Sequence, residues 1–460
     1  MITAGSVPVV VVSRRGAERI RGGHVWVYRS DIVEAKDVDP GALVTVQEEG
    51  GFRPKQLLDK NVRPTRAGVD PGDSSSPKGG GRRRPPHTRI LGSALYSTAS
   101  EIAVRMISSR PVADLELLVR ERIRAAIAYR ERVVENTNAY RVIFSEGDFL
   151  PGLIVDRYND LLSVQIVTQA MDTEAMRGVV VSELREALNP AAIVERVDPR
   201  VRRLEQLADK ESGVIWEAGA VTATETDPAR SAPDPGRGRP WLRESSVGAL
   251  TTEFQMNGVR FVYEALGGQK TGAFLDQREN YAAAARYARG EALDVFCYQG
   301  GFGLHLVEKC SKVTGVDSSR PALEMAERNA LLNSREIEWV EANAFDLMRD
   351  YADAGRQYDC VVLDPPAFAK SRQALQTALR GYKELNLRAL KMLRPGGILV
   401  TCSCSYHVSA GDLLGVVTAA GVDAHRNLRL LENRGAAKDH PTLLGVPETA
   451  YLKCLIVAIG

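Results

Sequence analysis

The chain is 460 residues long, 44% hydrophobic and 26% charged, with a formal net charge of +2. That length suits two or three domains with full cores, and the composition is that of an ordinary soluble globular protein. Near-neutral charge rules out holding nucleic acid by overall charge, so such a partner needs a local basic patch. No apolar run approaches bilayer length, and no basic region precedes the short apolar run near the N-terminus, so a cytoplasmic protein without a membrane partner is expected.

Residues 1–109 read as a small β-rich, barrel-like domain, with strands in VPVVVVS, HVWVYRSDIV, GALVTVQEE and ILGSALYSTASEIAVRMIS. A stretch at 61–87, rich in Pro, Gly, Ser and Arg and including Arg82, reads as a solvated insertion or as a basic arm for phosphates. From Asp114 to about Thr137, apolar residues recur at helical spacing with arginines on the other, wet face. A hairpin-like strand pair between Tyr140 and Thr168, a helix near Thr173 to Leu188 and two further strands complete a compact α/β module over 110–220. Residues 221–246 have little periodicity and read as a linker or expanded loop. The last domain then spans 247–460.

In that domain, Ala292 to Cys297 is a short apolar run suited to a strand covered on both faces. Tyr298 follows, then Gly300, Gly301 and Gly303. GGFG lacks the spacing of dinucleotide turns, so alone it fits a tight structural turn as well as a cofactor loop. A second run, KVTGV, ends on Asp317, where a carboxylate can accept from ribose hydroxyls. A helix over Arg320 to Leu332 and a strand ending near Asn343 come next. Tyr358 to Leu363 delivers the turn Asp364-Pro365-Pro366, whose prolines lack N–H donors and suit gripping the edge of a base. Helix Gln373 to Met392 leads to LRPGGILVTCSCS, and last strands lie at Asn427 to Leu431 and Leu452 to Ile459. Alternating strands and helices predict a parallel sheet in three layers, with the three strand ends sharing one carboxyl edge. Ahead of it, the polar segment from Gly267 to Arg278, containing Gln277, reads either as an ordinary helix start or as a lid over the cofactor.

The six cysteines all lie from Cys297 onward, with no C-x-x-C, which argues against a disulfide framework or a metal site. Cys402 reads as packing. Cys404 falls where its strand should end, and a thiolate there could attack C6 of a pyrimidine, making C5 electron-rich enough to take a methyl group.

Together QKTGAFLDQREN, DVFCYQGGFG, VTGVDSS, VVLDPPAFAKS, RGYKELN, LRPGGILVTCSCS and AAKDHP…PETAYLK resemble the RlmI-type family of bacterial 23S rRNA cytosine-5 methyltransferases over nearly the full chain. The resemblance implies an N-terminal PUA domain, a small middle α/β domain and a C-terminal Rossmann-like class I domain using S-adenosyl-L-methionine. It places Gln277, Arg278, Tyr298, Gly300, Gly301 and Asp317 around the cofactor and Asn343 at its adenine. Asp364 is set between cofactor and target base, and Cys404 forms the covalent adduct. The implied partner is 23S rRNA or a large-subunit assembly intermediate, with a homodimer as a candidate assembly. Two departures stand out: Asn343 replaces the more usual acid, and Ala367 occupies a place where another group of RNA cytosine-5 methyltransferases has a second cysteine. Two other readings stay open, methylation of a ring or exocyclic nitrogen without an adduct, and a non-catalytic RNA-binding protein.

Overall fold

The computed structural model describes residues 7–50, 89–219, 250–267, 273–369 and 371–460. The expected insertion at 61–87, the linker at 221–246 and residues 268–272 of the expected lid lie outside them. The chain divides into two compact units, one ending at Val112 and the other running from Ala113 to Gly460.

In the first unit β1 (Val9–Val12), α1 (Arg14–Arg21), β2 (Trp26–Tyr28), β3 (Ile32–Ala35), β4 (Leu43–Glu48), β5 (Ile90–Tyr96) and β6 (Ile102–Ser108) form a six-stranded sheet ordered β2-β6-β5-β4-β1-β3. Alternating valines build its core: Val10, Val12, Val44 and Val46 are fully buried while their neighbours are not. The short α1 was not foreseen; Ser13 caps it by accepting from Gly16 N.

The second unit opens with α2 (Leu115–Val133), capped by Asp114. There follow β7 (Ala139–Phe144), β8 (Leu153–Tyr158), β9 (Leu161–Ile166), α3 (Glu174–Leu188), β10 (Ala192–Glu195), α4 (Pro199–Leu204) and β11 (Gly213–Glu217), with the sheet ordered β11-β10-β9-β8-β7. The expected strand pair after α2 is thus three strands. Nor are the arginines of α2 all wet. Arg130 is 1% exposed, donating to the carbonyls of Arg141 at 2.9 Å and Asp439 at 2.7 Å.

A hairpin of β12 (Thr251–Met256) and β13 (Val259–Glu264) leads to α5 (Arg278–Tyr287). The main sheet contains β14 (Gly290–Val295), β15 (Cys310–Asp317), β16 (Glu338–Glu341), β17 (Tyr358–Leu363), β18 (Leu393–Ser403), β19 (Leu428–Arg434) and β20 (Lys453–Ile459), ordered β16-β15-β14-β17-β18-β20-β19. Helices α6 (Gly301–Leu306), α7 (Arg320–Leu332), α8 (Ala344–Asp353), α9 (Leu375–Met392) and α10 (Ala410–Asp423) connect the strands. Alternate residues of each strand serve opposite faces. Ala292, Cys360, Val362 and Val400 join one core, whereas Leu293, Val361, Leu363 and Leu399 join the other. The order reverses between β14 and β17, and a crevice at the carboxyl edge follows from that reversal.

The expectation of an all-parallel sheet needs correction, because β20 runs antiparallel to both β18 and β19. A parallel return requires a crossover, usually a helix, and residues 435–452 contain only one short 3-10 turn, Pro447–Thr449. The reversal brings the first residue of β20, Lys453, opposite Ser403 at the last turn of β18.

Among the described residues no helix is long and apolar enough to cross a membrane, and no cluster of His, Cys, Asp or Glu could hold a metal ion.

Candidate active site

At the end of β14 the backbone is forced into an unusual path. Phe296 and Tyr298 have φ of 66° and 49°, and Gly300 has φ 83°. Two non-glycine residues in this region cost on the order of 1–3 kcal/mol each and persist only where surrounding bonds hold them. The Tyr298 N–H donates to Asp317 Oδ2 at 3.0 Å, while Asp317 Oδ1 accepts from Ser319 N at 2.9 Å. Buried Asn329 ties the next residue down, donating to Gln299 O at 3.2 Å and accepting from Val262 N at 2.9 Å. A Cβ on Gly301 would stand 2.5 Å from the Tyr281 ring, and one on Gly300 would stand 2.9 Å from Trp339.

Beneath this turn Asp294 is fully buried. Its Oδ2 accepts from Gly303 N at 2.8 Å, and its Oδ1 has no partner among the described residues. Burial pushes this carboxyl up to about 7, with the neighbouring Asp317 charge adding to the rise. His305, also buried, approaches Gly301 O at 2.7 Å and Met256 O at 3.2 Å, joining the turn to the hairpin. Burial pushes its pKa down, so the ring is neutral near pH 7.

A cleft beside the turn is lined by Tyr298, Gly301, Phe274, Tyr281 and Asp364. Asp364 therefore joins the glycine turn to the rest of the edge. Its charge acts on Tyr281 on one side and on Tyr382 on the other, and the Cys404 thiol also acts on Tyr382. Cys404 Sγ lies 3.9 Å from Pro365 O, in the turn that follows Asp364.

Cys404 is half-buried, and the flanking residues Ser403 and Ser405 are fully buried. Ser403 Oγ donates to Tyr382 Oη at 2.9 Å, Tyr382 Oη meets Ser405 Oγ at 3.1 Å, and Ser405 Oγ accepts from Ala369 N at 3.3 Å. Lys453 Nζ donates to Ser405 O and to Tyr451 O, each at 2.7 Å. Sequence reasoning singled out none of Ser403, Ser405, Tyr382, Lys453, Asp294 or His305. The quoted stretches CSCS, RGYKELN and PETAYLK contain four of them, but their meeting depends on strand pairing.

Cys402, fully buried, faces Cys454 across the β18–β20 pair, as packing requires. Gln277 and Arg278 do not face the cleft. Each is 2% exposed; the Arg278 guanidinium donates to Asp439 Oδ1 at 2.9 Å, and Gln277 Oε1 accepts from Asn280 at 2.7 Å. Asn343 is an exposed cap of α8, its Oδ1 accepting from Phe345 N at 3.0 Å and Asp346 N at 3.4 Å. Its amide N–H₂, and not that oxygen, is the group left to meet a ligand.

A family model described as S-adenosylmethionine-dependent methyltransferase matches residues 175–457, and a model of a PUA-like domain matches residues 10–52. Fold and site thus define an S-adenosylmethionine-dependent methyltransferase with a PUA-like N-terminal domain. Ribosomal RNA large subunit methyltransferase I of Tolumonas auensis is 36% identical over 376 residues, covering 80% of this chain and 87% of the relative. The protein of the same name from Photobacterium profundum is 34% identical over 372 residues, covering 79% and 86%. The chain belongs to the ribosomal RNA large subunit methyltransferase I family. The solved structure of SMU.776, described as a methyltransferase complexed with SAH, has the same fold, with a TM-score of 0.72 at 15% identity, covering 98% of this chain and 100% of that one.

The residues present fit that cofactor. Tyr298 and Gly301 line the cleft, and Asp317, each of whose oxygens accepts a single backbone N–H, keeps lone pairs for ribose hydroxyls.

Proposed function

We propose that this protein methylates carbon 5 of a cytidine in 23S rRNA or in a large-subunit assembly intermediate, through a covalent bond between Cys404 and C6. One observation carries the reading: Cys404 emerges from the end of β18 beside the Asp364-Pro365-Pro366 turn, and Asp364 also lines the cleft of the glycine turn. S-adenosylmethionine, held by Tyr298, Gly300, Gly301 and Asp317 with Asn343 toward the adenine, supplies an electrophilic methyl group. The Cys404 thiolate adds to C6 while the Asp364 carboxyl donates a proton to the ring nitrogen, and C5 becomes electron-rich. After C5 has taken up the methyl, its proton leaves to water or a cleft side chain. The sulfur–C6 bond then breaks, the thiolate departs and the ring proton returns to Asp364. Reaching a base this way requires it to be out of its helical stack.

The relatives' ribosomal substrate, and the PUA-like unit over 1–109 as an RNA-binding element, support rRNA as partner and the cytoplasm as location. The middle domain is set at 110–220, the linker at 221–246 and the methyltransferase domain at 247–460. Mass-spectrometric mapping of rRNA from cells with and without the gene should show one 5-methylcytidine that depends on it. Cys404→Ala should lower methylation at least a thousandfold; retained activity would point to a nitrogen target and no adduct.

A further inference from the structure

Lys453 is 6% exposed, and among the described residues its ammonium makes hydrogen bonds to carbonyls and no ion pair, Asp412 acting on it from farther off. A buried ammonium without an anion is costly, and two backbone carbonyls offset only part of that cost. Its position explains what it faces. Because β20 runs against β18, its first residue lies opposite Ser403, and its side chain reaches past the strand end to the carbonyl of Ser405, the residue after Cys404. We infer that Lys453 is a positioning residue for the reaction, its ammonium group holding the Cys404 sulfur as a thiolate ready to attack the base. The inference rests on Cys404 being the nucleophile.

Among the described residues, the other titratable groups around the lysine are few. Asp412, in the first turn of α10, is engaged by Ser409 at 2.6 Å. Tyr382 on α9 is bonded to two serine hydroxyls, and Tyr406 pairs with Glu448 at 3.1 Å. Burial pushes Lys453 down to about 8, and the influence opposing that fall most is the Cys404 thiol, followed by Asp412. Near pH 7 the amine therefore still carries its proton. The thiol proton leaves to water, the ammonium keeps its own, and its charge offsets that of the sulfur. When the sulfur–C6 bond breaks, the thiolate returns beside the same charge.

The test is the pH dependence of iodoacetamide alkylation of Cys404 in the full-length protein, read by peptide mass mapping with half-buried Cys310 as reference. In the wild-type protein the Cys404 rate should reach its midpoint below the ordinary thiol range of about 8.5. Lys453→Met should slow alkylation at pH 7 about tenfold, a shift of about one pH unit, and Lys453→Arg should recover most of the loss. A Lys453→Met profile superimposable on wild type would overturn the inference. Should that variant fail to fold, a wild-type midpoint at or above about 8.5 would overturn it equally. Full methylation by Cys404→Ala would instead remove the nucleophile itself, whereas an inactive Cys404→Ala with an unmoved Lys453→Met profile removes only the lysine's part.

Discussion

Gly301 meets the hydroxyl end of the Tyr281 ring, which is 3% exposed and packed edge-on against Phe302 at 4.7 Å. A rigid ring cannot give way as a lysine tip would. Gly301→Ala should therefore cost about 1–3 kcal/mol and weaken S-adenosylmethionine binding, by calorimetry, at least tenfold. Buried neutral His305 predicts a pH effect of definite sign. Its folded pKa lies below its unfolded value of about 6.5, so the unfolded chain takes up the proton first. The stability from this group is complete above about pH 6.5 and falls as pH drops below it. Urea midpoints at pH 7.5 and 5.5 should differ in that direction, and His305→Asn, which can still donate to Gly301 O, should narrow the gap. The placing of the glycines after one strand and of Asp317 at the end of the next was legible because strand end, turn and acid recur at fixed places in such sheets. Asp294 and His305 were not, since an acid inside an apolar strand and a histidine on a helix have no periodicity that marks them.

At the scale of elements, residues 435–452 depend on partners far away in sequence. Ala437 N donates to Asp276 O at 2.8 Å, and Asp439 accepts from Arg278 at 2.9 Å and from Arg141 N at 2.8 Å. The Arg130 guanidinium takes the Asp439 carbonyl. Against its burial, His440, the Arg278 guanidinium and the Arg141 N–H hold the Asp439 carboxyl well below the usual range. Asp439→Ala leaves buried Arg278 with only Glu279, at 3.8 Å, as an opposite charge, and denaturant titration should show a loss of about 3–5 kcal/mol. The pairing with Asp439, and the Asn280 bond to Gln277, explain why Arg278 and Gln277 are buried where the sequence suggested cofactor contacts. Polar residues before a helix read as ligand contacts until the acid that buries them is known. Strand and helix types in the main sheet were largely legible from unbroken apolar runs, but α10 was not, because Gly411, Gly415 and Gly421 break its helical signal. Nor does an apolar run carry direction. Only the missing helix between β19 and β20 hinted that the last strand turns back, and that reversal supplies Lys453 to the site.

For the whole molecule, the β7–β11 module and the methyltransferase sheet share one core. Tyr158 stacks on Tyr263 at 3.9 Å and packs edge-on against Phe254, and Val194, Met256, Ala292 and Phe302 belong to the same cluster. A fragment of residues 113–460 should therefore fold and bind S-adenosylmethionine with unchanged affinity, while one starting at 247 should aggregate, as size-exclusion chromatography and calorimetry would show. What unites core, turn and strand ends is the proposed bond between one sulfur and one base. The most direct measurement of it is the intact mass of the protein after incubation with S-adenosylmethionine and substrate rRNA containing 5-fluorocytidine, whose fluorine cannot leave as the C5 proton does. The account predicts a denaturation-resistant complex, its RNA mapped to the peptide carrying Cys404 and lost in Cys404→Ala. Normal methylation of unmodified RNA with no such complex, or a complex that persists in Cys404→Ala, would contradict it.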